Sequence, residues 1–242
     1  MSKLPNAPLL EVIYELRWDI KNEQDLVKFQ YLHGDLYAAQ KLNYPLRELL
    51  TPADMPMALM INNPTYRFKS KENYPLFQLG PGVLSLNTTD AAYFWEDYYE
   101  SCKSLTTSFF DVYQLSEDEK FRPNLIYLDF YKFDFLNNDI IHFINDNLNV
   151  VLGQNFYKTT NNPSTITLAF NYVIDLGKLD ILLNTGLNGS NETGLVIRTQ
   201  LNGPAVTPST DDIMSWLDKA HAFCSDLFKE MTKGKLYETF KQ

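Results

Sequence analysis

Hydrophobic and polar positions alternate with period two in the first clear run of the chain. Val12, Tyr14, Leu16, Trp18 and Ile20 are interleaved with Glu11, Ile13, Glu15, Arg17 and Asp19, the pattern of a strand with one buried face. Asn22 to Asp25 then offer capping side chains. Leu26, Phe29, Leu32, Leu36 and Tyr37 recur at helical spacing through about Lys41. Pro45, Pro52, Pro56 and Pro64 break the next stretch, so at most one helical turn is expected there, over Leu46–Leu50.

Three short strands are expected near Thr65–Ser70, Leu76–Leu79 and Val83–Thr88, with Gly80-Pro-Gly82 turning between the last two. Thr89 or Asp90 is the expected cap of a second helix, whose apolar stripe includes Trp95, Tyr98, Cys102, Leu105 and Phe109. Leu115–Arg122, with Glu117, Asp118, Glu119 and Lys120, reads as an exposed connector.

The same order then returns. A strand is expected over Asn124–Phe135 and a helix from Asp139 to about Leu148. Strands follow near Ile166–Ile174, Lys178–Asn184 and Leu195–Leu201. Asp175-Leu-Gly177 marks one turn and Gly186–Gly194 a longer, mobile loop. Ser209, Thr210 or Asp211 caps a last helix with Ile213, Trp216, Leu217, Ala220, Cys224 and Leu227 on one face.

The two opening strands also echo each other without a gap. Val12–Phe29 can be laid over Ile126–Phe143, pairing Val12 with Ile126, Glu15 with Asp129, Leu16 with Phe130 and Phe29 with Phe143. A three-strand run cannot bury both its faces alone. The expectation is therefore an α+β fold in a single compact domain spanning residues 1–242. Two pseudo-symmetric β-α-β-β-β-α halves, 1–115 and 121–242, would form a largely antiparallel sheet with helices packed on one side.

Composition narrows the class. A chain of 242 residues, 45% hydrophobic and 21% charged, is long enough for a sizeable core. No apolar run approaches the roughly 20 residues that span a bilayer, so no membrane partner is expected. The opening Met1-Ser-Lys-Leu-Pro-Asn lacks the apolar core of a signal peptide, and two cysteines, Cys102 and Cys224, imply no disulfide framework. The expected location is cytoplasmic. A formal net charge of −9 argues against a dominant nucleic-acid surface, since phosphate contacts need a local excess of Lys and Arg.

Candidate chemistry is sparse. His33, His142 and His221 lie on three expected helices, none with a metal-ligand partner at helical or hairpin spacing, so neither metal nor cofactor is expected. Each reads as an ordinary exposed or half-buried helix position. Cys102 and Cys224 fall in apolar stripes and read as core thiols. No catalytic motif is present, so no catalytic residue is assigned and the reading leans away from an enzyme.

Glu15 and Asp129 hold equivalent places in the echo. Meeting at a pseudo-twofold seam they would form a carboxylate pair; ion pairs with Arg17 and Lys132 explain the same residues without function. Arg67, Lys69 and Lys71 alternate with Tyr66 and Phe68, forming a basic row that suits a phosphate or an acidic partner, or that simply discourages edge pairing.

Leu4-Pro-Asn-Ala-Pro-Leu-Leu-Glu-Val-Ile-Tyr-Glu-Leu16 resembles the start of a sporadically distributed bacterial and archaeal family of uncharacterised proteins of comparable length. Tyr66-Arg67-Phe68, Trp95-Glu96 and the ending Phe228-Lys-Glu-Met-Thr232 before Phe240 look similar as well. Members carry an Arg-Tyr-x-Asn pattern in the central strand, where this chain has Asp129-Phe-Tyr-Lys132, so no site transfers there. The resemblance implies the setting of mobile or defence-linked genes.

The expected function is therefore a non-catalytic protein-binding component, by a protein partner or self-association such as a homodimer, within a defence or mobile-element system. The alternative is a small-ligand or nucleotide-binding sensor, or a hydrolase, with a groove between the halves that uses Glu15, Asp129 or the Arg67 row. Nucleic-acid binding through Arg67, Lys69 and Lys71 is a third option.

Overall fold

The computed structural model describes residues 4–52, 54–115, 118–153 and 163–242. Its centre is strand β1 (Leu9–Trp18), in which Val12, Tyr14, Leu16 and Trp18 are buried while the residues between them are only half-buried. On one side β1 pairs with β5 (Val83–Thr89), followed outward by β4 (Leu76–Gly80), β3 (Tyr66–Lys69) and β2 (Leu46–Leu49). On the other it pairs with β6 (Phe121–Lys132), followed by β9 (Thr193–Asn202), β8 (Gly177–Leu187) and β7 (Thr167–Ile174). The nine strands of the described residues form one sheet, antiparallel throughout.

Helices α1 (Glu23–Gln40), α2 (Trp95–Val112), α3 (Ile140–Asn147), α4 (Thr210–Met231) and the short α5 (Lys235–Thr239) lie on one side of the sheet. This is the expected α+β architecture. No helix among the described residues is long and apolar enough to cross a membrane.

Local chemistry explains the boundaries. The Asn22 side chain accepts from the N–H groups of Gln24 and Asp25 to start α1, Asp139 does the same for α3 and Ser209 for α4. Gly80 must be glycine, because a Cβ there would run into the backbone carbonyl of Asn63. Gly82, at φ +85°, takes the left-handed conformation that the β4–β5 turn needs.

The core is aromatic at its centre. Trp18 packs against Phe109, Tyr113 and Phe121 with ring centroids 5.0, 5.6 and 6.0 Å away. Tyr98 ties α2 to the sheet by inserting its hydroxyl between opposite residues of β1 and β5. The hydroxyl accepts from the Tyr14 N–H at 2.7 Å and donates to the Leu86 carbonyl at 2.8 Å.

Several expected elements differ. Leu46–Leu49 is a strand, not a helical turn; the prolines exclude a helix, and the extended stretch supplies the pairing that β3 would otherwise lack. Helix α2 starts at Trp95, without a side-chain cap, because Asp90–Ala92 first form a short 3-10 turn. Strand β6 begins at Phe121, earlier than expected, and ends at Lys132. Within the connector, Ser116 and Glu117 lie outside the described residues, and Glu119 is buried where it accepts from the Tyr113 hydroxyl at 3.0 Å. The expected long loop at Gly186–Gly194 shrinks to residues 188–192, since both strands run into it. Asn188 closes the turn by accepting from the Ser190 and Glu192 N–H groups.

Outward from the β1–β6 pair, the strand order is alike on both sides. The gapless echo does not supply the register of that likeness. Ile13 lies opposite Ile126, Val12 opposite Tyr127 and Glu15 opposite Asn124. Directly opposed residues in an antiparallel pair point to the same face. Val12 therefore faces the helices with Tyr127, while Ile126 faces away with Ile13. A twofold axis normal to the sheet would keep equivalent residues on one face, so the echo is one residue out of step. Glu15 and Asp129 accordingly lie on opposite faces of the sheet and cannot form a carboxylate pair.

Candidate functional site

The helix-facing side of β6 presents Phe121, Leu125, Tyr127, Asp129 and Tyr131 in turn. Asp129 interrupts this apolar and aromatic row. It lies opposite Leu9, where the β1–β6 register shifts between Leu9 and Glu11, and the Phe130 N–H donates to the Pro8 carbonyl at 2.8 Å. This bulge brings Leu9 to the helix face beside Asp129. On the other flank, β9 sets Ile197 opposite Asp129 and Thr199 opposite Tyr127.

Above this patch lies a cavity of about 760 Å³. The N-terminal segment from Leu4 to Leu9, the start of α2, and helices α4 and α5 form its walls. The Asn6 N–H donates to the Phe240 carbonyl at 3.1 Å, and its side-chain amide donates to the Gln242 carbonyl at 2.5 Å. The segment around Asn6 is thus clasped to the residues that follow α5, beside the cavity.

One wall is a stacked and hydrogen-bonded group. The Trp95 and His221 rings lie 3.7 Å apart and 11° from parallel. The hydroxyl of Tyr127 is 2.8 Å from His221 Nδ1, and the hydroxyl of Tyr93 is 3.1 Å from that of Tyr127. A chain in which Tyr93 donates to Tyr127 and Tyr127 donates to His221 satisfies all three groups and leaves the imidazole proton on Nε2. Burial pushes the imidazole down to about 4, so it is neutral at physiological pH, and burial holds the phenols of Tyr93 and Tyr127 far above theirs. The Cys224 thiol, also on this wall, is pushed up to about 12 by burial. None of these groups is an activated nucleophile.

Asp129 is different. Its side chain lines the cavity, the residue is only 5% exposed, and no cation or hydrogen-bond donor meets its carboxylate among the described residues. Burial alone raises the carboxyl to about 7.

The other sequence candidates lie elsewhere. Glu15 sits on the open face of the sheet, where it accepts two hydrogen bonds from Arg17, at 2.8 and 3.0 Å, and one from Asn124. This is the ion-pair reading, made within one strand. Lys132 pairs with Glu192, not with Asp129. Arg67 and Lys69 do share the open face, but both are engaged by Glu48 of β2, at 3.4 and 2.9 Å. Lys71 has left the strand and lines a separate depression with Glu72 and Glu100. The structure therefore brings none of the five together with another beyond Arg67 and Lys69.

Sequence reasoning missed His221, Tyr93, Tyr127 and Trp95. A signal existed for His221, four residues after Leu217 and three before Cys224, which places it along the buried stripe of α4. Among the described residues no three His, Cys, Asp or Glu side chains cluster as metal ligands would. No protein family, no curated protein and no solved structure matches this chain.

Proposed function

We propose that this protein is a small-molecule-binding protein that holds its ligand in the cavity between β6, β9 and helices α2 and α4, and acts by binding. The observation that carries this reading is Asp129, a buried carboxylate aimed into a mostly apolar cavity with no partner among the described residues. Such a group destabilises the fold unless something meets it, and cavities of this size and lining are the usual sites of small ligands. The lining joins Tyr93 and Trp95 of the first half to Tyr127, Asp129 and His221 of the second. The role is read as binding because His221 is committed to Tyr127 through Nδ1 and burial holds the Cys224 thiol in its protonated form, so neither supplies an activated nucleophile. The defence or mobile-element setting implied by the opening segment is compatible with a sensor.

The protein-binding reading draws on the open sheet face. That face carries Glu11, Glu15, Glu48, Asp180, Arg17 and Arg67, each already met by a neighbour, together with the exposed Arg198 beside Leu128 and Leu182. Asn87 donates to Glu11, Arg17 to Glu15, Asn202 to Asp180 and Arg67 to Glu48. A partner gains little from groups that are paired before it arrives.

The test is a fragment screen read by NMR on protein labelled at tryptophan and histidine. Binders are expected to move the Trp95 indole and His221 imidazole resonances together. A screen in which binders leave both unchanged would refute this site.

A further inference from the structure

Resting on the reading of the cavity as a ligand site, its chemistry narrows the ligand to one charge type. The carboxylate of the lining that no described residue meets is that of Asp129; Asp90 and Glu96 have partners of their own, and two lysines, Lys229 and Lys241, complete the charged lining. Each lysine is ion-paired with an acidic residue three positions earlier, Lys229 with Asp226 at 2.9 Å and Lys241 with Glu238 at 2.7 Å. The local field thus favours a cation. A phosphate, a carboxylate or a nucleotide would bring its charge against the unmet Asp129 carboxylate, while the two lysines are solvent-accessible and already ion-paired.

A metal ion is a poor occupant. Asp129 is a single carboxylate, and no group of three potential ligands accompanies it among the described residues. A purely apolar molecule would bury Asp129 further from water and give it nothing in return. An ammonium suits both parts of the site. Its N–H groups can donate to the carboxylate, and its apolar body can lie against Phe94, Trp95, Phe228 and Tyr237. The protein already makes one such contact there, with the Lys241 ammonium 4.7 Å from the Tyr237 ring centroid. Thr199, on the same sheet face and diagonal to Asp129, adds a hydroxyl acceptor at the polar end.

We propose that the cavity binds an organic ammonium ion, a primary amine on an aromatic or aliphatic body, with Asp129 as the counter-ion and the aromatic residues of α2, α4 and α5 as its walls. The neutral His221, fixed by Tyr127 and Trp95, keeps a second positive charge out of the site. Its ring is a donor and a stacking surface, not a competitor for Asp129.

Three probes of matched shape separate the charge types: 2-phenylethylamine, 2-phenylethanol and phenylacetate. Each is titrated by calorimetry at pH 8 into the full chain and into Asp129→Asn, with the Trp95 indole resonance followed in parallel. The amine should bind the wild-type chain about 30-fold more tightly than the alcohol, the worth of one charge-assisted hydrogen bond. Phenylacetate should bind most weakly. In Asp129→Asn the amine should lose about that same factor while the alcohol changes less than about threefold. The asparagine variant removes a buried charge without changing shape, so its folding is not at risk. If the alcohol or the acid matches the amine, or if Asp129→Asn leaves amine binding intact, the ammonium assignment is overturned while the ligand site stands. If none of the three binds or moves the Trp95 resonance, both readings fall.

Discussion

Replacing Asp129 by asparagine should stabilise the protein, by an amount that grows with pH. Burial lifts the carboxyl from the usual 3.8 to about 7. Between these two values the folded chain keeps a proton that the unfolded chain has lost. The stability contributed by the neutral group is therefore complete below the lower value and is lost as pH rises through the upper one. A tenfold change in a protonation equilibrium is worth about 1.4 kcal/mol, so the ionised carboxylate destabilises the fold by about 4 kcal/mol at pH 8.

Asparagine has the same shape and no charge to desolvate. Its advantage over aspartate should widen from about 2 kcal/mol at pH 5 to about 4 kcal/mol at pH 8. His221 acts in the opposite direction. Burial lowers its imidazole to about 4, so stability present above the ordinary 6.5 is lost as pH falls toward that value. Both proteins share that loss, and the difference between their curves removes it. The assay is urea denaturation of the two proteins, without added ligand, at pH 5, 6.5 and 8. A pH-independent difference, or a variant less stable at pH 8, would refute the reasoning, because it would mean that the carboxylate is stabilised by a cation or by donors.

Tyr127→Phe removes the hydroxyl joining Tyr93 to His221 and should cost about 1 to 2 kcal/mol in the same assay, since it strands a buried acceptor. A cost below a few tenths would mean that the hydrogen-bond chain does not form. Gly80→Ala should cost at least about 2 kcal/mol, because its methyl group meets the Asn63 backbone and not a side chain that can turn away. A neutral result in thermal denaturation would contradict the close approach of that loop to β4. Finally, the wild-type chain should pass through single-stranded DNA and RNA columns without salt-dependent retention, since Glu48 engages both Arg67 and Lys69 and the chain as a whole carries a formal net charge of −9. Retention that is abolished by Arg67→Ala together with Lys69→Ala would restore the basic row as a site.

Period-two alternation was enough to place β1 and most other strands, and the capping residues Asn22, Asp139 and Ser209 marked three helix starts. Pairing was harder. The echo of Val12–Phe29 in Ile126–Phe143 was visible, but register in a sheet turns on single residues, and a shift of one exchanges the faces. Glu15 and Asp129 were singled out together on that echo. In space they share neither face nor function: one is an ion-paired surface residue, the other lines the cavity. The cavity itself drew on segments that alternation treats separately. Tyr93 precedes a helix, Tyr127 sits in a strand and His221 in a helix near the end of the chain, and only the packing of α4 over β6 brings them within hydrogen-bonding reach.

Asp129 nevertheless left a local trace. Along the helix-facing side of β6 every other neighbour in the row is apolar or aromatic, from Phe121 through Leu125 and Tyr127 to Tyr131. An aspartate in that row opposes the strand's own pattern. No salt bridge, cap or turn among the described residues accounts for it. A carboxylate such as Glu15 is explained by its neighbours, since Arg17 and Asn124 donate to it. A carboxylate that breaks the local rule and is left unpaired lowers the stability of the fold. Natural sequences keep such a residue where it serves something other than the fold. On the proposed reading that use lies in the cavity Asp129 faces, and the charge it presents there is the strongest constraint on what would enter.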